Sequence, residues 1–338
     1  MNILGKIYSS IIKKTYGKFN GKLFAFVAYF GCFFACAYLF FIKTKKQIII
    51  APATAIGDNI YILSFWDNLN KRAEKSDKEI LFFISDRYKE ILQTYNPPNN
   101  KVTVIYLKHC GFKHLFLFTL WLLFKHPHLA NFSLKHGIFC PVPSAYKSHI
   151  DKLNLVGCRN QLSHILNLPL EPISYHKQAL APINCIENFK EHHNRICVIN
   201  PYSYSMYSNV QLFEKFVIEL KKRGYIIYTN VIRNQRAIKG TLRLDCSMHD
   251  LYSIACEIPL TISIRTGLLD YLIPSGINMF VLYGQTKVGD GGHENDYTLQ
   301  EWKPEGKLCE VWTSQKSDDE IVQKFQEFLN NIEYEDKQ

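Results

Sequence analysis

The sequence predicts an α/β protein of two doubly wound, Rossmann-like domains preceded by a membrane-anchor helix. Short β-branched and apolar runs alternate in both halves of the chain with segments whose apolar residues have helical spacing. This alternation is typical of βαβ units that build a parallel sheet. At 338 residues the chain has room for two domains and an appendage. We expect an anchor segment at 1–46, a first domain at 47–190, a second domain at 191–315, and a C-terminal helix and tail at 316–338.

The anchor is predicted by a run of twenty residues without a charge, 23–42, which is the length that a helix needs to cross a bilayer. Five lysines and no acidic residue precede it. A cleaved signal peptide fits poorly, because the apolar run is long and ends in lysines rather than at a small-residue cleavage site. Whether this helix spans the bilayer or lies within one leaflet stays open, and a buried soluble helix is the alternative.

The first βαβ unit covers residues 47–69. Three consecutive isoleucines, 48–50, predict a buried strand, and residues 55–59 predict a tight turn before a helix that runs from Ile60 to Leu69. Ligands of doubly wound domains bind at the carboxyl ends of the strands, where Gly57 lets the backbone approach and Asp58 supplies a carboxylate. The alternative is that Asp58 only caps the helix.

The rest of the first domain continues the alternation of predicted strands and helices. Residues 80–84 and 102–107 predict two further strands, and the apolar ten-residue segment at 115–124, interrupted only by a threonine, predicts a core or interfacial helix, too short to span a bilayer. Three histidines follow this helix without a carboxylate or cysteine at ligand spacing, so we expect no metal site there. These residues are His126, His128 and His136.

The second domain begins with a predicted strand at 195–201, a hydroxyl-rich loop at 202–207 and a helix at 210–222. The next predicted strand, 225–232, is followed at its carboxyl end by Arg233 and Arg236. Cations in that position are well placed for a diphosphate. A Ser-x-x-Asp capping box at 247–250 is predicted to open a helix at 251–256.

The strongest local pattern is the predicted strand at 260–264 followed by Arg265, Thr266 and Gly267 and then a helix. Unpaired N–H groups at the helix start, together with the Arg265 guanidinium, favour a phosphate ligand. The alternative is that Arg265 pairs with a buried carboxylate such as Asp270, although five positions is not the ideal same-face spacing.

Three segments carry a resemblance to a known family: I-G-D-N-I-Y-I-L at 56–63, R-T-G-L-L-D-Y-L at 265–272 and M-F-V-L-Y-G at 279–284. Together they resemble the lipopolysaccharide heptosyltransferases, enzymes of GT-B fold with a cleft between two domains, over roughly residues 47–285. The resemblance implies that Asp58 is the general base and that Gly57 and Asn59 lie on the acceptor side.

For the donor, the resemblance implies that Ser203 faces the phosphates, although the loop at 202–207 also fits an ordinary helix start. The family usually has Asp-Thr-Gly-x-x-His where this chain has Arg265-Thr266-Gly267-x-x-Asp270. The Thr-Gly is retained, while the acid and the histidine are replaced. Because those two positions are expected to contact the donor, a donor other than ADP-heptose becomes plausible.

The sequence therefore predicts a glycosyltransferase that moves a sugar from a nucleotide-diphosphate sugar to a lipopolysaccharide or other surface glycan acceptor. We expect no cofactor beyond the nucleotide-sugar co-substrate and no metal, with the segment 289–296 acting as a mobile lid; divalent-cation ligation by its His293, Glu294 and Asp296 is the alternative. The alternative function is a non-catalytic, membrane-tethered α/β protein that binds a nucleotide or polysaccharide.

Charge and cysteine content bear on the partners and the location. The net charge of +10 is compatible with nucleic acid, an anionic membrane or phosphorylated substrates, and lysines that bracket an apolar run favour the membrane over nucleic acid. The ten cysteines form no C-x-x-C pair, which indicates a reducing compartment. We expect the inner (cytoplasmic) membrane, with the catalytic domains on the cytoplasmic side where nucleotide sugars are found.

Overall fold

The computed structural model describes residues 47–50, 56–75, 77, 79–85, 88–94, 101–107, 138–139, 157–166, 168–171, 173, 180–203, 206–284 and 297–335. The predicted anchor at 23–42, the apolar segment at 115–124, the three histidines and the segment 289–296 lie outside these residues. None of the helices within the described ranges has the length and apolar character needed to cross a membrane.

The chain divides into two compact units, residues 1–174 and 175–338. The finer boundaries at 46, 190 and 315, and the cleft between two domains, stay predictions.

The first unit contains a four-stranded parallel sheet in the order β3-β2-β1-β4. The strands are β1 (Gln47–Ile50), β2 (Glu79–Ser85), β3 (Val102–Leu107) and β4 (Ile138–Phe139). The described helices are α1 (Ile56–Leu63), α2 (Trp66–Lys75), α3 (Ile91–Thr94) and α4 (Cys158–Leu166). The strands predicted at 80–84 and 102–107 are confirmed. The order reverses between β1 and β4, which makes the residues after β1 the switch point where doubly wound domains bind ligands.

The segment after β1 differs from its prediction in two ways. Helix α1 begins at Ile56, so Gly57, Asp58 and Asn59 lie in its first turn and not in a preceding loop. An acid in a first turn is favoured by the helix dipole, which explains the earlier start. The single helix predicted up to Leu69 is interrupted at Ser64, whose hydroxyl donates to the Tyr61 carbonyl at 2.7 Å and competes with the helical ladder.

The second unit contains a six-stranded parallel sheet in the order β10-β9-β8-β5-β6-β7. The strands are β5 (Ile196–Asn200), β6 (Ile226–Asn230), β7 (Leu242–Leu244), β8 (Leu260–Ile264), β9 (Asn278–Tyr283) and β10 (Leu308–Trp312). The helices are α5 (Phe189–His192), α6 (Val210–Lys222), α7 (Met248–Ala255), α8 (Gly267–Leu272) and α9 (Asp318–Glu335). Counted within this unit, the strand order is that of a complete dinucleotide-binding domain, with its switch point between β5 and β8.

An aromatic cluster holds α9 against the second sheet. The ring of Phe325 on α9 lies 4.6 Å from that of Phe216 on α6 and 5.0 Å from that of Phe280 on β9, centroid to centroid. All three side chains are fully buried. Edge-to-face and tilted contacts of this kind add to the free energy gained by burying the rings. The C-terminal helix is therefore part of the core of the second unit.

Candidate functional site

The carboxyl edge of the second sheet brings together the predicted donor-binding residues. The carboxyl edge consists of the described residues that follow β5, β6 and β8, namely 201–203 with 206–209, 231–241 and 265–270. Since β5 lies between β6 and β8, these three segments start side by side at the switch point.

Beneath the edge, three polar side chains form a ladder across the neighbouring strands. The Asn230 amide donates to the side-chain oxygen of Asn200 at 2.8 Å, and the Asn200 amide donates to the Thr261 hydroxyl at 3.0 Å. Thr261 in turn donates to the Val198 carbonyl at 2.8 Å. Asn200 and Thr261 are buried, so these bonds satisfy groups that water cannot reach. This ladder was not predicted from the sequence. The feature that could have indicated it is an asparagine at the end of each of two strands, Asn200 of β5 and Asn230 of β6.

The described residues that follow β5, 201–203 and 206–209, make contacts with two other segments. The Tyr202 hydroxyl donates to the Arg236 carbonyl at 2.6 Å, which joins this segment to the one that follows β6. On the other side, a Cβ on Gly284 would lie 2.9 Å from the Tyr207 carbonyl, so only glycine permits this close approach. Ser203, predicted to face the donor phosphates, is half-buried and directly follows Tyr202.

Arg233 and Arg236 lie on the surface of the segment that follows β6. Arg233 has a φ of 58°, in the left-handed region that L-residues other than glycine adopt at a cost. Among the ion pairs that the described residues form, neither guanidinium takes part. The edge therefore carries two exposed cations and the Ser203 hydroxyl, a set of groups suited to an anion.

Arg265 and Asp270, both predicted to contact the donor, are bonded to each other. The two guanidinium nitrogens donate to the two carboxylate oxygens at 2.9 and 2.7 Å, and the side chains are only 5% and 1% exposed. Arg265 also donates to the carbonyls of Thr266 at 2.6 Å and Tyr297 at 2.8 Å. Burial raises the pKa of Asp270, and the facing guanidinium opposes that rise. Arg265 therefore forms the ion pair with Asp270 that was the alternative to a phosphate contact.

Thr266 is the N-cap of α8, because its hydroxyl accepts from the Leu268 N–H at 3.2 Å. Gly267 is the first residue of that helix. The strand, turn and helix predicted here are confirmed as elements, while the donor-binding roles of Thr266 and Gly267 stay predictions.

A second, partly buried network also fixes the segment around Tyr297. The Tyr283 hydroxyl donates to the Tyr297 carbonyl at 3.0 Å and also contacts Glu310. The Glu310 carboxylate accepts from the Thr298 hydroxyl at 2.6 Å and the Leu299 N–H at 2.7 Å. Burial raises the pKa of Tyr283, so its hydroxyl stays protonated and able to donate. No sequence pattern indicated this network, because its members come from three separate segments.

In the first unit, Gly57 and Asn59 are buried in the first turn of α1, after the switch-point strand β1. Asp58 lies between them in the same turn. Arg159 is 5% exposed and has a structural role. Its guanidinium donates to the Ser64 hydroxyl at 3.2 Å and to the Glu171 carbonyl, and it lies over the Phe65 ring at 5.4 Å. The catalytic role of Asp58 stays a prediction.

Within the ranges that the structure describes, no three or more His, Cys, Asp or Glu side chains lie together in a way that would hold a metal ion.

Comparisons with known proteins show the fold. No family model matches the chain, and no curated protein matches it. Among solved structures, the chain is similar to a glycosyl transferase family 9 protein from Veillonella parvula, with a TM-score of 0.54 and 13% identity, over 85% of this chain and 98% of that one. It is also similar to the ADP-heptose lps heptosyltransferase II of E. coli, with a TM-score of 0.53 and 11% identity, over 87% of this chain and all (100%) of that one. The chain thus has the α/β fold of these glycosyltransferases across most of its length.

Proposed function

We propose that this chain is a membrane-associated glycosyltransferase that moves a sugar from a nucleotide-diphosphate sugar to a lipopolysaccharide or other lipid-linked surface glycan. One observation carries the proposal: the chain shares its fold, over 85% and 87% of its length, with two glycosyltransferases. The second sheet supports it, because doubly wound domains with this strand order bind nucleotides at the carboxyl ends of their strands, and the exposed cations lie at that edge. The E. coli neighbour is described as an ADP-heptose lps heptosyltransferase, which supports a nucleotide-diphosphate donor and a glycan acceptor here.

The reaction needs a proton acceptor and an anion-binding surface. An acceptor hydroxyl gives its proton to the Asp58 carboxylate while its oxygen bonds to the anomeric carbon of the donor sugar. The bond between that carbon and the diphosphate oxygen breaks, and the nucleoside diphosphate leaves with the electron pair. Asp58 suits the first role because it lies in the first turn of α1, beside the switch point of the first sheet.

On the donor side, Arg233, Arg236 and Ser203 bind the diphosphate and stabilise the charge that develops as it leaves. Thr266 and Gly267 shape the start of α8 beside it. The Arg265 guanidinium, which is bonded to Asp270 and to two carbonyls, acts by fixing this turn. No cofactor is required, since the nucleotide sugar is a co-substrate.

Residues 23–42 anchor the enzyme to the inner membrane, and the catalytic units face the cytoplasm, where nucleotide sugars are made. The acceptor lipid would then lie in the same membrane as the anchor.

The test is release of nucleoside diphosphate from a panel of nucleotide sugars by the wild-type protein and by Asp58→Asn. Loss of a general base lowers the rate about 10²- to 10⁴-fold. Asp77→Asn is the matched control, because Asp77 is fully exposed in the same unit and has a φ of 50°, a conformation that Asn accepts well. Turnover with a large loss in Asp58→Asn alone supports the proposal. Nucleotide binding without turnover of any donor would favour a non-catalytic, membrane-tethered binding protein.

A further inference from the structure

We propose that Arg243 is a positioning residue for phosphate binding, because it holds the turn that carries Arg233 and Arg236 at the carboxyl edge. Residues 232–236 are called the basic turn below. The ligand class, the diphosphate of a nucleotide sugar, rests on the proposed function; the geometry of the turn does not.

The basic turn has a defined and costly conformation. The Gln235 N–H donates to the Ile232 carbonyl at 3.2 Å and closes the turn, while the Gln235 side-chain oxygen accepts from the Ile232 N–H at 2.9 Å. Arg233, between them, has the positive φ of 58°. An arginine in the left-handed region is unfavourable where glycine or asparagine would fit, and such strain is most often retained at binding sites. Contacts with other parts of the chain must therefore stabilise this backbone conformation.

Arg243 supplies that support. It lies on the edge strand β7, in register with Thr229 of β6. One guanidinium nitrogen donates to the Gln235 carbonyl and the other to the Arg233 carbonyl, both at 3.0 Å. The planar fork of a guanidinium matches two carbonyls at once, which the single ammonium of lysine does not. Asp245 accepts from the same guanidinium at 3.1 Å and orients it.

The other side of the basic turn is tied to the segment that follows β5. The Tyr202 hydroxyl donates to the Arg236 carbonyl at 2.6 Å, and Ser203 is the next residue along. Arg243 and Tyr202 thus fix the backbone of the two exposed arginines through three carbonyls, at the edge where the sheet binds its ligand.

The charge of this region indicates what the turn binds. The stretch 230–241 contains Arg233, Arg236 and Lys239 and no acidic residue. Among the described residues, the ion pair found next to the turn is Arg243 with Asp245, which leaves the exposed arginines available to a ligand. A diphosphate offers the charge and the acceptor oxygens that two fixed guanidinium groups recognise.

The test is calorimetric binding of inorganic pyrophosphate and of ADP to the full chain and to four single variants. We expect Arg243→Ala to raise the dissociation constant about tenfold for both probes, which is the effect of misplacing one charge-assisted bond. Arg243→Lys keeps the charge but loses the planar guanidinium group that donates to two carbonyls, so we expect it to bind both probes as weakly as Arg243→Ala does. Arg233→Asn keeps the backbone conformation and loses the cation, so it should bind weakly while its Tm is unchanged or higher.

Arg195→Ala is the matched control, since Arg195 is exposed at the opposite, amino end of β5 and its loss changes the net charge equally. It should bind as wild type. If Arg243→Lys binds as wild type, charge alone accounts for the effect and the positioning role is wrong. If no variant differs from wild type, or wild type binds neither probe, the proposal fails. Weak binding by the variants together with no turnover of any donor would support the basic turn as a diphosphate site and reject the proposed function.

Discussion

At the scale of single residues, Arg265 and Asp270 show why a motif does not determine a contact. Helical spacing argued against their pairing because they are five positions apart. Arg265, however, precedes the helix: its N–H still bonds to the Leu282 carbonyl of β9 in the sheet, so its side chain reaches the helix from outside. The spacing rule applies only when both residues are helical. The strand, turn and helix were predicted, and the pairing across their junction was predicted only as the alternative to a phosphate contact.

We expect Arg265→Ala to lower the free energy of unfolding by about 3–5 kcal/mol, because it leaves the Asp270 carboxylate buried without its partner. Arg265→Met combined with Asp270→Leu should recover most of that loss, since two apolar side chains need no partner. Urea unfolding measures both, with Arg195→Ala as the neutral control. A stable Arg265→Ala variant whose diphosphate affinity falls ten- to a hundredfold would instead make Arg265 a direct donor ligand.

At the scale of elements, the capping box of α7 was predictable because its signal is local. Ser247 accepts from the Asp250 N–H at 3.0 Å, and the Asp250 carboxylate accepts from the Ser247 N–H at 3.2 Å. Helix α6 likewise has the predicted bounds and is capped by Asn209, whose side chain accepts from the Leu212 N–H at 3.1 Å. The short strand β7 and the strand β10 were not singled out, because their partly exposed residues give little apolar periodicity.

The hydrogen bonds between Ser317 and Glu320 at the start of α9 should make the free energy of unfolding depend on pH. The Ser317 N–H and hydroxyl donate to the Glu320 carboxylate at 2.7 and 2.8 Å and lower the pKa of Glu320. Since the folded-state pKa lies below the unfolded one, the stabilisation is complete above the unfolded pKa and is lost as the pH falls through the folded pKa. The urea midpoint of Glu320→Gln should therefore lie below that of wild type at pH 7, and the gap should narrow as the pH falls below the ordinary glutamate pKa of about 4.3. A gap that does not change with pH would contradict this.

The aromatic cluster should dominate the attachment of α9 to its sheet. Phe325→Ala removes a fully buried ring in contact with Phe216 and Phe280, and we expect a loss of about 3–5 kcal/mol in the free energy of unfolding. Phe325→Leu keeps most of the apolar volume and should lose much less. Equal losses in the two variants would show that ring geometry, rather than filled volume, holds the helix.

At the scale of the whole molecule, the alternation of strands and helices predicted two α/β sheets. The structure adds the order of the strands within each sheet. The order β3-β2-β1-β4 and the order β10-β9-β8-β5-β6-β7 each place their switch point after the first strand of the unit. Residue patterns give the elements of a sheet, whereas their neighbours depend on pairing between distant segments, such as Ile199 with Ile262. The arginines after β6 were predictable as candidates; Arg243, which holds their turn, was not.

If residues 1–46 only attach the enzyme to the membrane, a chain that starts at Thr44 should be soluble or extractable by salt and should still turn over a soluble acceptor analogue. Ultracentrifugation after an alkaline wash separates the outcomes. Retention of the shortened chain in the membrane pellet would indicate a second contact, for which the apolar segment 115–124 is the first candidate.

Sugar transfer is measured by the incorporation of label from a panel of radiolabelled nucleotide sugars into the lipid-extractable fraction of membranes from the source cell. With the wild-type protein we expect one donor of the panel to label lipid-linked glycan, with nucleoside diphosphate released in equal amount. Asp58→Asn should incorporate at least a hundredfold less label, and Asp77→Asn as much as wild type. Equal incorporation by Asp58→Asn, or no incorporation from any donor, would contradict the account.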